Sequence, residues 1–331
     1  MRQEQFVTRY QHEWQQFEDW LQRRGEKARK GRSSLDPQLP GDETIPQRYR
    51  RLCQQLALAR RRGYSPQLVE RLQQLMQRGH NLLYRTPTPR WQRAVEFLVA
   101  DFPQLVRSQA GAMWVAFALF AVPLIGIFVL LQFKPELIHL LLDPRQIAQM
   151  EKMYDPAADH LGRDSGTNWA MFGHYIMNNI SIGLRTFASG LLAGIGTILV
   201  LLFNGLTIGA VAGHLQNAGF GEPFWRFVVG HAPFELTAIV IAGGAGLQLG
   251  LRLLAPGRKR RIDALVEGGV IGARLCLGVA FMLLVAAFIE AFWSAIVWVP
   301  MWGKLTASSV LWTLVIVWLW RGGRGGAGNA H

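Results

Sequence analysis

The stretches 108–133, 186–221, 275–289 and 305–320 of this sequence contain no Asp, Glu, Lys or Arg. A helix needs about 20 apolar residues to cross the hydrocarbon core of a bilayer, so these gaps read as spans or parts of spans. The stretch 186–221 is too long for one crossing, since as a single helix it would run about 54 Å against a core of about 30 Å. Asn204-Gly205 is the natural break within it. The expected spans are 111–131, 181–203, 206–217, 226–253, 268–292 and 306–320. The fold class is all-α: a polytopic membrane protein with about six transmembrane helices and an N-terminal cytoplasmic helical bundle.

The bundle is expected from periodicity. Phe6, Tyr10, Trp14, Phe17 and Leu21 recur at spacings of three and four, as do Tyr49, Leu52, Leu56 and Ala59, then Leu68, Leu72 and Leu75. Each set is one apolar stripe on a helix. Pro37, Pro40 and Gly41 mark a loop, and TPTP at 86–89 another. Trp91, Val95, Leu98, Phe102 and Leu105 form a fourth stripe, read as an interfacial helix with Arg90, Arg93 and Arg107 facing headgroups. The domains are then 1–110, a cytoplasmic helical region, 111–321, a membrane domain with an extracytoplasmic loop at 132–179, and a Gly-rich tail at 322–331. A short amphipathic helix is expected in that loop, ending near Asp155-Pro156.

Charge sets the expected orientation. Of the net +13, residues 1–110 supply 20 Lys/Arg against 11 Asp/Glu, and 256–263 reads PGRKRRID. Loop 132–179 holds four basic and six acidic residues. Six crossings place every basic segment and both termini in the cytoplasm, as the positive-inside rule requires. No aromatic RNA-binding motif or zinc pattern accompanies the positive charge, so nucleic acid is not an expected partner. Cys53 and Cys276 have no disulfide or metal spacing.

Ionisable residues inside the spans are the candidate site. Arg185, His214, His231, Glu235 and Glu290 all fall in the expected outer half of the membrane. His231 and Glu235 are four apart and share a helix face, with Pro233 between them either kinking or starting the helix. A lone carboxylate in hydrocarbon needs a partner, and Arg185 or His231 is the expected one. The cluster reads in three ways: a structural pin between helices, an outward-facing polar cavity for a small ligand, lipid headgroup or protons, or a metal site. HxxxE is a weak spacing, and neither a metal nor a cofactor is assigned from it. Gly190, Gly194, Gly205, Gly209, Gly213, Gly246 and Gly250 form small-residue stripes that let helices approach closely, within one chain or between copies in a homo-oligomer. There is no GxxxxGK[ST], HExxH or GxSxG, and an enzyme is not expected.

NNISIGLRTFASGLLAGIGTILVLLFNGLTIGAVAGHL at 178–215 and GHAPFELTAIVIAGGAGLQLG at 230–250 resemble the stage II sporulation protein M family, as does FLVADFPQLVR at 97–107. The family's usual His-Gly pair reads His231-Ala232 here. The resemblance implies a membrane scaffold: in endospore formers such a protein serves cell-wall hydrolases during engulfment. Relatives elsewhere are commonly encoded beside MoxR-type AAA+ ATPases and proteins with von Willebrand-like domains. The implied partners are the lipid bilayer and other membrane or envelope proteins. An alternative from the polar cluster is a transporter or lipid-headgroup translocator.

Overall fold

The computed structural model describes residues 2–29, 44–83, 90–156 and 167–324. The loops expected at Pro37–Gly41 and at TPTP, and the tail from 325 onward, lie outside them. The chain divides into two compact units, 1–89 and 90–331.

The first unit is a three-helix bundle: α1 (Gln3–Arg29), α2 (Ile45–Arg61) and α3 (Pro66–Leu83). Every residue of the first three stripes is buried in its core, except Tyr10, which packs against it half-buried. Polar groups inside are matched. Trp14 Nε1 donates to Gln55 Oε1 at 2.6 Å, and Gln55 Nε2 donates to Glu13 Oε2 at 3.1 Å. Gln3 pins the first turn of α1 to the α2–α3 turn, donating to Ser65 Oγ at 3.0 Å and accepting from the Ser65 amide at 2.9 Å.

The fourth stripe belongs to the second unit, so the expected boundary at 110 moves to 89. Here α4 (Arg90–Glu96) runs through a π-helical turn (Phe97–Asp101) into α5 (Phe102–Ser108). Phe102 is fully buried against the membrane helices, while Trp91 and Val95 are exposed. Arg107 does not face headgroups as expected. It donates to the carbonyls of Leu319 and Gly322, which lack helical partners.

Among the described residues, six long helices follow: α6 (Ala110–Phe133), α9 (Asn168–Ala188), α10 (Ile195–Asn217), α12 (Ala232–Leu254), α13 (Arg261–Phe288) and α14 (Met301–Arg321). Between them sit three short helices, α7 (Ile138–Leu141), α8 (Pro144–Met153) and α11 (Gly221–Val228). Five of the long helices are long and apolar enough to cross a membrane, α13 doing so together with its extension to Ser294. Their outward faces carry large apolar residues such as Trp114, Val122, Phe203, Val310 and Trp302. The chain is an all-α polytopic membrane protein. The sixth long helix, α9, carries His174, Asn178, Asn179 and Arg185 and is less apolar than its neighbours.

Contacts fix the directions. Gly205, Gly209 and Gly213 face Phe120, Leu124 and Phe128 in step, so α6 and α10 are parallel neighbours. Gly194 meets Gly250 and Leu201 meets Gly243, so α10 and α12 are antiparallel. Gly183 meets Leu283 and Phe187 meets Gly272, so α9 and α13 are antiparallel. The six helices therefore alternate in direction, with α12 enclosed among the others. One end of the unit, the cap end, is covered by α7, α8 and α11. Tyr154 there packs its ring on Phe224 and Phe227 at 5.3 and 5.9 Å. The other, basic end carries Arg252, Lys259, Arg260 and Arg261.

Four expected boundaries are corrected. The helix expected to break at Asn204-Gly205 runs unbroken. Asn204 Nδ2 donates to the Val200 carbonyl at 2.9 Å, and Gly205 lies against α6. The break comes earlier, where Ala193 and Gly194 take φ of +54° and +83° and reverse the chain in the left-handed region. The second long helix accordingly starts at 168, within the expected loop 132–179, and not at 181. The span expected at 226–253 is split by a turn before Ala232, leaving α11 on the cap. The amphipathic helix expected before Asp155 is two, α7 and α8, separated at Asp143. That residue caps α8, its side chain accepting from the Arg145 amide at 2.8 Å.

Candidate functional site: a polar cluster at the cap end

The site forms where α12 begins and α13 ends. His231 is the N-cap of α12, and Pro233 stands in its first turn, where a missing N–H leaves no hydrogen bond unmade. Pro233 thus starts the helix and does not kink it. His231's carbonyl accepts from the Phe234 and Glu235 amides, both at 3.1 Å, which turns the side chains of His231 and Glu235 to the same side. On the facing helix, α13 widens into a π-helical turn over Ile289–Ser294. The extra residue in that turn re-aims the side chains beyond it, a device common at functional sites. It brings Glu290 and Ser294 to α12. Gly230 admits the turn, since a Cβ there would lie 3.1 Å from Trp293 and 3.3 Å from Ser294 Oγ.

The resulting geometry is compact. His231 Nε2 lies 3.6 Å from Glu235 Oε2. His231 Nδ1 lies 3.0 Å from Ser294 Oγ, and the ring meets Phe227 edge-on at 5.4 Å. One ligand-type atom each from His231, Glu235 and Glu290 falls within 4.8 Å of the others. From α9, the buried amide of Asn179 donates to Glu290 Oε2 at 3.4 Å, and Asn178 donates to Asn179 at 3.0 Å. Behind the π turn, the fully buried Lys304 donates to the Ser294 carbonyl at 2.7 Å. Arg226 of α11 donates to the carbonyls of Val297 and Val299 and so ties down the α13–α14 connection.

Of the five residues read from the sequence, three meet here: His231, Glu235 and Glu290. His214 lies at the same end but pairs with Glu151 of α8 at 2.8 Å, fastening the cap to α10. Arg185 is not part of the cluster and does not pair with Glu235. Because α9 starts at 168, Arg185 lies in its last turn, towards the basic end, and it projects from the exposed face while Gly183 and Thr186 face inward. His231 takes the place expected of it as Glu235's partner. Lys304, Asn179 and Ser294 were not among the expected residues. Lys304 lies one position before the charge-free run 305–320, and Asn179 sits in a polar Asn-Asn pair at the edge of another apolar stretch, the only sequence signals of either.

All seven stripe glycines are occupied within the chain. A Cβ on Gly190 would lie 2.7 Å from Gly246 Cα, and one on Gly250 would lie 2.5 Å from Gly194 Cα. Gly205, Gly209 and Gly213 admit the backbone of α6.

Residues 4–85, the three-helix bundle, match a domain family described only as a domain of unknown function (DUF8413). No curated protein and no solved structure matches the chain. The family of stage II sporulation protein M matches residues 113–295, a segment that takes in α6 through the π turn and with it His231, Glu235 and Glu290. With more than half of its length so matched, this chain belongs to the SpoIIM family.

Proposed function

We propose that this SpoIIM-family protein is a rigid scaffold in the bacterial inner membrane, holding envelope or cell-wall proteins together, and that it is not an enzyme. One observation carries the reading against transport. Between Glu235 and Gln248, the buried residues of α12 are all apolar: Ala238, Ile239, Ile241, Ala242, Gly243, Gly244, Ala245 and Gly246. The glycines among them sit against neighbouring helices, backbone on backbone at Gly190–Gly246. A polar cluster confined to one end of such an apolar, close-packed middle supports a fixed frame over alternating access, which needs one helix group to rock on another around a central site.

The basic end is assigned to the cytoplasm with both termini, and the cap end to the outside, on the positive-inside rule. The three-helix bundle is then a cytoplasmic docking module, and the cap with α8 an external one. A MoxR-type AAA+ ATPase is a candidate cytoplasmic partner, from the family's usual gene neighbours. The test is purification of the full chain, and of a chain lacking residues 1–89, under mild detergent with mass spectrometry of co-purifying proteins. The scaffold reading expects a reproducible set of envelope or ATPase partners, part of which is lost with the bundle. Two preparations that both carry no partner would overturn it.

A further inference from the structure

The cap-end cluster places one imidazole nitrogen and two carboxylate oxygens within 4.8 Å of one another. From this convergence we infer that His231, Glu235 and Glu290 bind one divalent transition-metal ion, Zn2+ by donor type, which staples the start of α12 to the π turn of α13. The inference is independent of the scaffold reading.

The donor set comes first. Zn2+ takes His nitrogen and Glu oxygen at about 2.0–2.2 Å and is held tetrahedrally, so its ligand atoms stand about 3.3–3.6 Å apart. His231 Nε2 and Glu235 Oε2 already stand 3.6 Å apart. The trio's atoms, all within 4.8 Å of one another, must draw in by about 1 Å on binding, a shift of the size that turning a carboxylate's terminal torsion supplies. Two carboxylates and one neutral imidazole bring a charge of −2, which matches a divalent cation. Magnesium and calcium favour all-oxygen shells, so the imidazole argues for a transition metal.

The supporting contacts are those that metal ligands use. A ligating histidine engages its second ring nitrogen so that its orientation and tautomer are fixed. His231 does so through Nδ1 on Ser294 Oγ, which leaves Nε2 directed at Glu235. Glu290 is oriented by the Asn179 amide, delivered from a third helix. Three protein ligands leave a fourth position open. His231 itself is buried, while Glu235 keeps a fifth of its side chain exposed.

The test uses the full-length protein without a polyhistidine tag, in detergent, stripped with EDTA and dialysed. Metal content after Zn2+ loading and desalting is read by elemental mass spectrometry. Co2+ titration reads the geometry through its visible absorption. Wild type is expected to retain about one Zn2+ per chain, to show an intense tetrahedral Co2+ spectrum displaced by Zn2+, and to melt higher with Zn2+ than without. His231→Gln and Glu290→Gln, both close in shape to the native residue, are expected to bind at least tenfold more weakly. His214→Gln, at the same end but paired with Glu151, is expected to bind as wild type. The inference is overturned if wild type gives no tetrahedral Co2+ spectrum, a result that needs no variant to fold. It is also overturned if His231→Gln retains the metal, if His214→Gln loses it, or if Mg2+ displaces Co2+ as well as Zn2+ does.

Discussion

Adding one methyl group at Gly209 should separate two helices. Gly209 lies midway along α10 with its missing side chain aimed at α6. A Cβ built there would lie 2.6 Å from Ile127 Cγ2 and 2.9 Å from the carbonyl carbon of Leu124, with the Leu124 oxygen nearer still. Carbon atoms reach optimal contact at about 3.5–4.0 Å, so relief requires a shift of about 1 Å. The Ile127 methyl can rotate away, but the Leu124 backbone cannot. The shift is transmitted to the flanking contacts at Gly205 and Gly213, which lie on the same face. Overpacking costs about 1–3 kcal/mol, and backbone-on-backbone contact over three rungs belongs at the top of that range. Alanine recovers up to about 1 kcal/mol in helix propensity, leaving a net loss of about 2 kcal/mol. At about 2–4 °C per kcal/mol for a unit of this size, Gly209→Ala should lower the melting temperature in detergent by about 4–8 °C. The control is Gly126→Ala in α6, where a Cβ meets nothing within 4 Å. There only the propensity gain remains, and stability should hold or rise slightly. Equal melting temperatures for the two variants would refute the close-packed frame.

Trp14→Ala should destabilise the three-helix bundle by about 3–5 kcal/mol, since it removes a fully buried indole and strands Gln55. Limited proteolysis of the full chain should then cut within 1–89 while the membrane unit stays intact. Arg107→Ala leaves the last carbonyls of α14 without their charged donor, a loss of about 1.5–3 kcal/mol, and should speed hydrogen exchange around 319–323. With Cys53 and Cys276 replaced by serine, a cysteine at Leu140 should label from outside intact cells and one at Arg260 should not. Labelling of Arg260→Cys from outside would reverse the assigned orientation.

The bundle was legible because an amphipathic helix in water must bury its one apolar face, and spacing alone reveals that face: Phe6, Trp14, Phe17 and Leu21 are all core. The membrane unit was legible as a set of apolar helices, five of which are long and apolar enough to cross a membrane where about six spans were expected, and not in their ends. Asn-Gly announces a turn in water, but in a bilayer Asn204 can bond back to its own helix and Gly205 can serve as a contact surface. The true reversal falls within GLLAG at 190–194, where only backbone dihedrals distinguish it from a span. That error carried Arg185 to the wrong depth. His231 and Glu235 were legible as an i, i+4 pair, and Glu290 from its depth near the end of a span. The parts played by Asn179, Ser294 and Lys304 depend on a third helix and on a π turn, neither of which leaves a local pattern in sequence.

The parallel contact of α6 with α10 bears on how the chain is made. Two parallel neighbours cannot dock until the segment between them has come back across the bilayer. That segment is α9, the least apolar of the six, with Asn178, Asn179 and Arg185 that a lone helix would expose to lipid. The tight reversal at 189–194 joins it to α10, whose apolar residues can carry both into the membrane as one hairpin. Insertion of α9 should therefore wait on synthesis of α10. In a translocon assay, α9 alone should fail to integrate, and α9 with α10 should succeed. Until then, the carbonyls of α6 at Phe120, Leu124 and Phe128 have no glycine face to rest against, and α6 must stand in the bilayer without α10.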